Sequence, residues 1–319
     1  MSNYNTDLFL EPTVKQYGSH MVMTNVHKTI KTKYINIDTK FRDEYHNNDL
    51  VNYNVTLPER INDVKKLSIK SIEIPMTTYN ISSTLGNNYF KISNISLDAS
   101  DMIIIPDGQY TITTLISAIN SQIAQKNSYL NYLMFNINNN FSSFFRSTYN
   151  GASWGGNDYN ITIDFAVDKE GNFDKYNFKS KLGWLLGFRN LTYDVQNNFD
   201  GDTRIYTMSE AFIDLNGSKY LYLAIDEFSK SNPGSFVTPL PTSFINKSII
   251  ARITLDKSTY GFNSILPSNM YNGLLVSDVR TYSGKIDIQK LNLQLLNDFG
   301  NPISLNGMDF SLCLEVEYE

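Results

Sequence analysis

The chain has 319 residues, 41% of them apolar, with 27 basic and 32 acidic side chains and a net charge of −5. That length holds one large all-β domain or two smaller domains, and the negative balance argues against a dedicated nucleic-acid binder, which needs a concentrated basic surface. A single cysteine, Cys313, excludes an intramolecular disulfide, and no apolar stretch reaches the ~18 residues of a membrane-spanning helix.

Residues 1 to 32 show no clean period, and Pro12 and Gly18 suggest an extended N-terminal arm. Such an arm is either a free tail or a segment that orders against a neighbouring subunit. Met1 to Asp7 contains no apolar run, so no secretion signal is expected, and Lys28, Lys31 and Lys33 read as solvated charges on the arm. Strands follow. Ile35, Ile37 and Thr39 alternate with polar residues, as do Tyr53, Val55 and Leu57, with Pro58 expected to stop that strand. Leu67 and Ile69 shift phase to Ile72 and Ile74 before Pro75, which predicts a β-bulge. The 21 Tyr and 19 Phe favour strands over helices.

The middle changes character. Short strands are predicted at Tyr89 to Ser93 and Met102 to Ile105, with a turn at Asp107-Gly108. Thr113 is placed to cap a helix carrying Leu115, Ile116, Ile119 and Ile123 at helical spacing. Ile161, Ile163, Phe165 and Val167 alternate as a strand. Ser180 is placed to cap a short helix with Leu182, Leu185 and Leu186 on one face and Gly187 at its end. This β-β-α-β-α order interrupts the sandwich pattern, so residues 83 to 215 read as an inserted α+β domain.

The sandwich then resumes. Leu221, Leu223 and Ile225 alternate with Tyr220 and Tyr222. A loop runs from Ser231 to Ser235 with Pro239 and Pro241 beyond it, then Ile249 to Leu255 and Leu274 to Val279 form strands. Two long strands close the chain. In the last, Phe310, Leu312, Leu314, Val316 and Tyr318 alternate with polar residues; in the one before, the apolar phase slips by one residue across Gln289 and Lys290, the mark of a bulge. Between them, Asp298 to Pro302 and Asn306-Gly307 supply turns. The main domain thus has roughly eight strands, the number a jelly roll needs.

Two pairs of segments carry a resemblance. Leu291 to Pro302 (LNLQLLNDFGNP) is followed by Leu305 to Leu312 (LNGMDFSL), and near the start Tyr34 to Asp43 (YINIDTKFRD) is followed by Leu67 to Pro75 (LSIKSIEIP). These resemble the virion proteins of nucleocytoplasmic large double-stranded DNA viruses and their virophages, a family of penton and minor capsid jelly rolls. The likeness covers the two ends, about half the chain, and its motifs are turn and strand patterns without catalytic residues. It implies a mainly β fold: a single jelly-roll β-sandwich with an α+β insertion domain and an extended N-terminal arm. The corresponding division is 1–32 (arm), 33–82 (first strands), 83–215 (insertion) and 216–319 (remaining strands).

No reactive centre is expected. His20, His27 and His46 all lie near the start, so none is left downstream for a Ser-His-Asp triad and no metal site is assigned. Asp194 to Asp202 lacks the alternating ligands and closing Glu of an EF-hand and reads as a loop. Gly151 to Gly156 is followed by neither lysine nor helix and is no phosphate loop. Within it Trp154 is the one candidate recognition residue: it either anchors its loop by packing or stands exposed to meet a protein or sugar. Glu315 and Glu317, two apart on a strand's polar face, read as solvated charges rather than a glycosidase pair. Cys313, on the same face with no histidine nearby, reads as a small strand residue. Asn54, Asn80, Asn160 and Asn190 begin Asn-x-Ser/Thr triplets that occur by chance in an Asn-rich chain.

The resemblance implies a structural, non-enzymatic protein of the virion. The leading expectation is a penton: a homopentamer at the five-fold vertices of an icosahedral capsid, assembled in the host cytoplasm. Its partners are then the major capsid protein and other minor capsid proteins, with no cofactor, no direct nucleic-acid binding and no membrane span. The alternatives are a minor capsid (cement) protein away from the vertex, or a receptor- or glycan-binding head.

Overall fold

A computed structural model describes residues 15–17, 21–23, 29–46, 51–148, 160–196, 206–228, 236 and 248–319. Strands β1 (Lys15–Tyr17) and β2 (Met21–Met23) pair as a hairpin. β3 (Lys31–Asp38) is followed by β4 (Tyr53–Pro75), 23 residues long. The next stretch contains β5 (Tyr89–Asn94), β6 (Ala99–Ile104), helix α1 (Ile112–Ala124), β7 (Leu133–Ile137), β8 (Ser142–Ser147), β9 (Ile161–Asp164), the single turn α2 (Leu182–Leu185), β10 (Thr192–Val195) and β11 (Thr207–Phe212). The chain returns through β12 (Tyr220–Asp226), β13 (Ile249–Thr254), β14 (Ile265–Asn269), β15 (Leu275–Ser277), β16 (Arg280–Leu296) and β17 (Ser311–Tyr318).

The protein is mainly β, and its main layers have the jelly-roll order. One layer runs β3–β17–β4–β14; the other runs β4–β16–β12–β13, with β15 added at its edge. All pairs are antiparallel. β4 serves both layers. Residues between Tyr53 and Leu67 pair with β16 and residues between Val64 and Glu73 pair with β17, so Val64, Lys66 and Leu67 have a partner on each side; Ser71 to Pro75 also pair with β14. The strand passes from one layer to the other at Asp63, whose φ is 55°. In effect β4 is two jelly-roll strands without the loop between them.

Alternation builds the core between the layers. Ile35 and Ile37 of β3, Ile69, Ile72 and Ile74 of β4, and Leu312, Leu314 and Val316 of β17 face Leu223 and Ile225 of β12 and Leu291, Leu293 and Leu295 of β16. Each such side chain stabilises the fold by roughly 1.5–3 kcal/mol when fully buried. Both predicted phase slips are register shifts. Ile288 and Lys290 of β16 lie opposite Ile61 and Thr56, and Cys313 and Leu314 of β17 lie opposite Ser71 and Ile69, leaving Lys70 as the extra residue. Each bulge lets the strand return its apolar residues to the core face after the sheet bends.

A further contact ties the two ends together. Thr39 and Phe310 exchange hydrogen bonds: the Thr39 N–H donates to the Phe310 carbonyl and the Phe310 N–H to Thr39 Oγ1, both at 2.9 Å. The Asp309 carboxylate accepts from Thr39 Oγ1 (3.0 Å) and Arg42 Nη1 (2.5 Å), and Arg42 lies over the Tyr45 ring at 4.1 Å.

Several expectations need correction. Pro58 does not end its strand: it sits on the stretch of β4 that bulges away from β16, is exposed, and has no ladder bond to lose. The cap of α1 is Thr111, not Thr113. Thr111 and Thr114 bond each other's backbone N–H groups as a capping box, and Leu115, Ile119 and Ile123 are buried. Ser180 ends a 3-10 turn, and Lys181 occupies the cap of α2. Leu274 to Val279 contains only β15, a short strand at the edge of the β16–β12–β13 layer, while the fourth strand of the opposite layer is β14, whose alternation is broken by Pro267 and Ser268.

The stretch between β4 and β12 carries its own core. Its sheets, β10–β9–β5–β6 and β11–β8–β7, pack with α1 around Phe90, Phe135, Phe145, Phe165 and Phe188, with the Phe135–Phe145 and Phe165–Phe188 ring centroids 5.0 and 5.1 Å apart. More strands lie here than the sequence predicts. In β8 the buried face is Ser143, Phe145 and Ser147 while Phe144 points outward, so hydropathy does not alternate.

Close packing makes two positions testable. A Cβ at Gly187 would lie 2.1 Å from the Ala211 carbonyl oxygen at a φ of +94°, whereas one at Gly261 meets nothing within 4 Å. Gly187→Ala should therefore lower stability by more than about 2 kcal/mol and Gly261→Ala by less than about 0.5 kcal/mol in chemical denaturation. The second test concerns Arg280 and Glu227, an ion pair in which both side chains are 1% exposed, with Arg280 also donating to the carbonyls of Ile225 (2.9 Å) and Ser248 (3.0 Å). Arg280→Met alone should cost about 3–5 kcal/mol, and the double variant Arg280→Met, Glu227→Met clearly less, because removing one partner strands a buried charge.

Candidate functional site

The outer face of the β3–β17–β4 layer is polar because alternation leaves polar side chains there. Lys66 pairs with Glu317 and Lys70 with Glu315, each at 2.8 Å, and Ser311 Oγ donates to Glu73 at 2.8 Å. The hydrogen bond from Lys70, joined by one from Tyr34, holds Glu315 below the usual carboxylate range. Each glutamate pairs with a lysine of its own on the neighbouring strand. Cys313 is half-buried here. Burial first, then the charges of Glu73 and Glu315, push its thiol up, which disfavours the reactive thiolate.

Among the described residues no three His, Cys, Asp or Glu side chains converge to hold a metal ion, and no helix is long and apolar enough to cross a membrane. His46 is exposed in a turn beside Tyr45. His20, His27, Trp154 with its glycine loop, and the end of the Asp194–Asp202 stretch lie outside the described residues.

The concavity that the fold does build lies where the inserted stretch meets the jelly roll. Two linkers cross there, one after β4 and one before β12, and Asn80 clamps them. Its amide donates to the carbonyls of Tyr110 (2.8 Å) and Leu215 (3.2 Å) and accepts from the Tyr110 N–H (2.8 Å). Beside this clamp is a cavity of about 380 Å³, walled by the linkers, by α2 and by the turn Asn297 to Pro302. A second cavity of about 510 Å³ continues from it along Lys175 to Ser180, sharing Lys179, Trp184, Phe299 and Asn301. Both are within the size of ordinary ligand clefts, about 300–1,000 Å³.

The walls are charged. Lys257 donates to the Asn216 carbonyl; burial lowers its pKa, opposed by the charges of Asp214 and Asp298. Asp298 accepts from Ser218 Oγ at 2.7 Å. Arg189 stacks on the Trp184 ring at 3.9 Å, with Nη1 fixed by the carbonyls of Trp184 (2.9 Å) and Phe188 (3.0 Å), and Lys179 lies 6.0 Å from the same ring. Under α2, buried Lys181 pairs with Asp174 at 2.9 Å and donates to the Tyr89 hydroxyl at 3.1 Å. Nothing in the sequence pattern singles out these residues for function. They come from five separated segments, and no local spacing signals that they meet.

No family model and no curated protein matches the chain. Among solved structures, it is similar to the mavirus penton protein, with 13% identity and a TM-score of 0.42 over 92% of this chain and 100% of that one. It is also similar to a chain of the Sputnik virophage structure, with 13% identity and a TM-score of 0.36 over 90% of this chain and 98% of that one.

The Asp174–Lys181 pair gives a pH prediction. The hydrogen bond from Lys181 lowers the Asp174 pKa against the opposing effect of burial; for Lys181, the bonds to Asp174 and Tyr89 outweigh burial and raise its value above 10.5. A depressed carboxylate contributes stability above its unfolded value of about 3.9 and loses it as pH falls through its folded value. The raised ammonium keeps its contribution until pH climbs past its folded value. Asp174→Asn should therefore be destabilised from about pH 5 to 10, by about 2 kcal/mol at neutral pH, with the gap closing below about pH 3 in urea titrations.

Proposed function

We propose that the chain is a structural protein of a virion, most specifically a penton that closes five-fold vertices as a homopentamer. One observation carries the reading. Three of the four segments that resemble penton and minor capsid proteins, Tyr34 to Asp43, Leu67 to Pro75 and Leu305 to Leu312, are far apart in sequence yet pair with one another through β3, β4 and β17, and Thr39, Arg42, Asp309 and Phe310 from two of them bond one another; the fourth, Leu291 to Pro302, supplies the end of β16 that pairs with the start of β4. The resembling residues are therefore the ones that hold the sandwich, as expected if fold and assembly, rather than chemistry, are what the family shares.

The mechanism is geometric. A two-layer wedge with different surfaces on its two sides packs head-to-tail around an axis, and a rotation that closes gives a ring. Each contact needs on the order of 800 Å² per partner. In this reading the arm of residues 1–32 ties the ring to neighbours, the jelly roll of 33–82 and 216–319 forms it, and the 83–215 insertion projects from it. The major capsid protein and other minor capsid proteins are its surroundings, the virion its location and the host cytoplasm its place of assembly. We read it as non-enzymatic.

Native mass spectrometry of the purified full chain should give a pentamer, and a particle reconstruction should place it at the vertices. A strict monomer at tens of micromolar that is also absent from the vertices would refute the assignment.

A further inference from the structure

The cleft between the insertion and the jelly roll is electrostatically out of character with the rest of the chain. Its two cavities are lined by Lys175, Lys179, Arg189, Lys219 and Lys257 against only Asp214 and Asp298 among the described residues, in a chain of net charge −5. Both aspartates already accept bonds within the walls, from Asn216 N–H (3.0 Å) and Ser218 Oγ. Arg189 is the telling residue. Stacking on Trp184 and two carbonyl contacts hold its guanidinium in place, and among the described residues no carboxylate pairs with that guanidinium. A fixed, planar, unpaired fork of donors is pre-organised for an incoming carboxylate. Lys179, on the same indole, also has no ion pair among the described residues. Trp184, Leu185, Leu191 and Phe299 add apolar surface to the lining, beside polar side chains such as Asn80, Ser180 and Asn301.

We propose that this cleft receives an extended acidic peptide segment, and that the segment is the start of a neighbouring copy of the same chain. Residues 1 to 14 contain no cationic side chain; Asp7 and Glu11 bracket Leu8-Phe9-Leu10, an apolar centre between two carboxylates. This complements a cleft that sets cations beside apolar side chains. A stretch of 14 residues can span at most roughly 45–50 Å. A strap seated there would touch both α2 and the Asn297–Pro302 turn, and would fix the insertion against the jelly roll in every copy of a ring. The inference rests on the ring-forming reading for its donor, and its own content is the cleft.

The test uses the full chain with Phe9 replaced by the photocrosslinker p-benzoylphenylalanine, assembled from equal parts of isotopically light and heavy protein. Mixed-isotope crosslinks to residues 175–191 or 297–303 are expected. They should fall at least tenfold in a Lys179→Gln, Arg189→Gln variant whose melting temperature is unchanged. Crosslinks elsewhere, crosslinks only within one chain, or yields indifferent to the two substitutions would overturn the proposal. So would sialyllactose contacting the cleft while Phe9 crosslinks elsewhere, which would make it a saccharide site. A pentamer in native spectra without cleft crosslinks removes the strap alone; absence of any ring removes the capsid reading.

Discussion

Strand β4 belongs to both layers of the sandwich, and that shared membership is the constraint on which the rest of the architecture depends. A strand that pairs with β16 from Tyr53 to Leu67 and with β17 from Val64 to Glu73 holds those two strands on opposite edges where the pairings overlap. It therefore sets where the sheet curls and which residues meet in the core. The turn of the strand is made at Asp63, with positive φ, where the Asp63 N–H donates to the Asp287 carboxylate at 3.1 Å. Asp and Asn tolerate this conformation better than branched or bulky residues do. The bulges at Lys70 and opposite Ile288 absorb the resulting change in twist, so that apolar residues stay inward on either side of the bend.

The second long-range device is polar. Thr39 and Arg42 on one side, and Asp309 and Phe310 on the other, join the end of β3 to the start of β17 by side-chain and backbone bonds at once. Tyr53 packs edge-on to Phe310 at 5.2 Å and so draws the start of β4 into the same knot. The residues that read as family-like motifs thus have a physical role, which is to align the three strands nearest the chain ends. The buried Arg280–Glu227 pair acts comparably on the other layer, where Arg280 spans the carbonyl ends of β12 and the approach to β13.

The inserted stretch relates differently to its sequence. Its core is richer in aromatic rings than that of the jelly roll, although aliphatic side chains still outnumber them, and its strands are short. Gly183 and Gly187 mark the limits of that packing: Cβ atoms there would meet the Phe165 ring at 2.4 Å and the Ala211 carbonyl oxygen at 2.1 Å. The cleft with Arg189 on Trp184 lies where two linkers join the two cores, beside the Asn80 clamp.

The strand character of both ends, the two bulges, helix α1 and the partition of polar from apolar faces were written in the sequence, because they depend on alternation and phase between near neighbours. The lysine partners of Glu315 and Glu317, by contrast, come from the neighbouring strand and follow from pairing, not from the local sequence. What the local pattern could not express was decided by tertiary structure. Pro58 stays within a strand because the bulge leaves it without a partner. In β8, Ser143 and Ser147 take core-facing positions beside Phe145, with the Ser143 N–H bonded to Ser209 Oγ. The cationic cleft exists only where five distant segments converge, and convergence over such separations is a property of the pairing order, not of any stretch of residues.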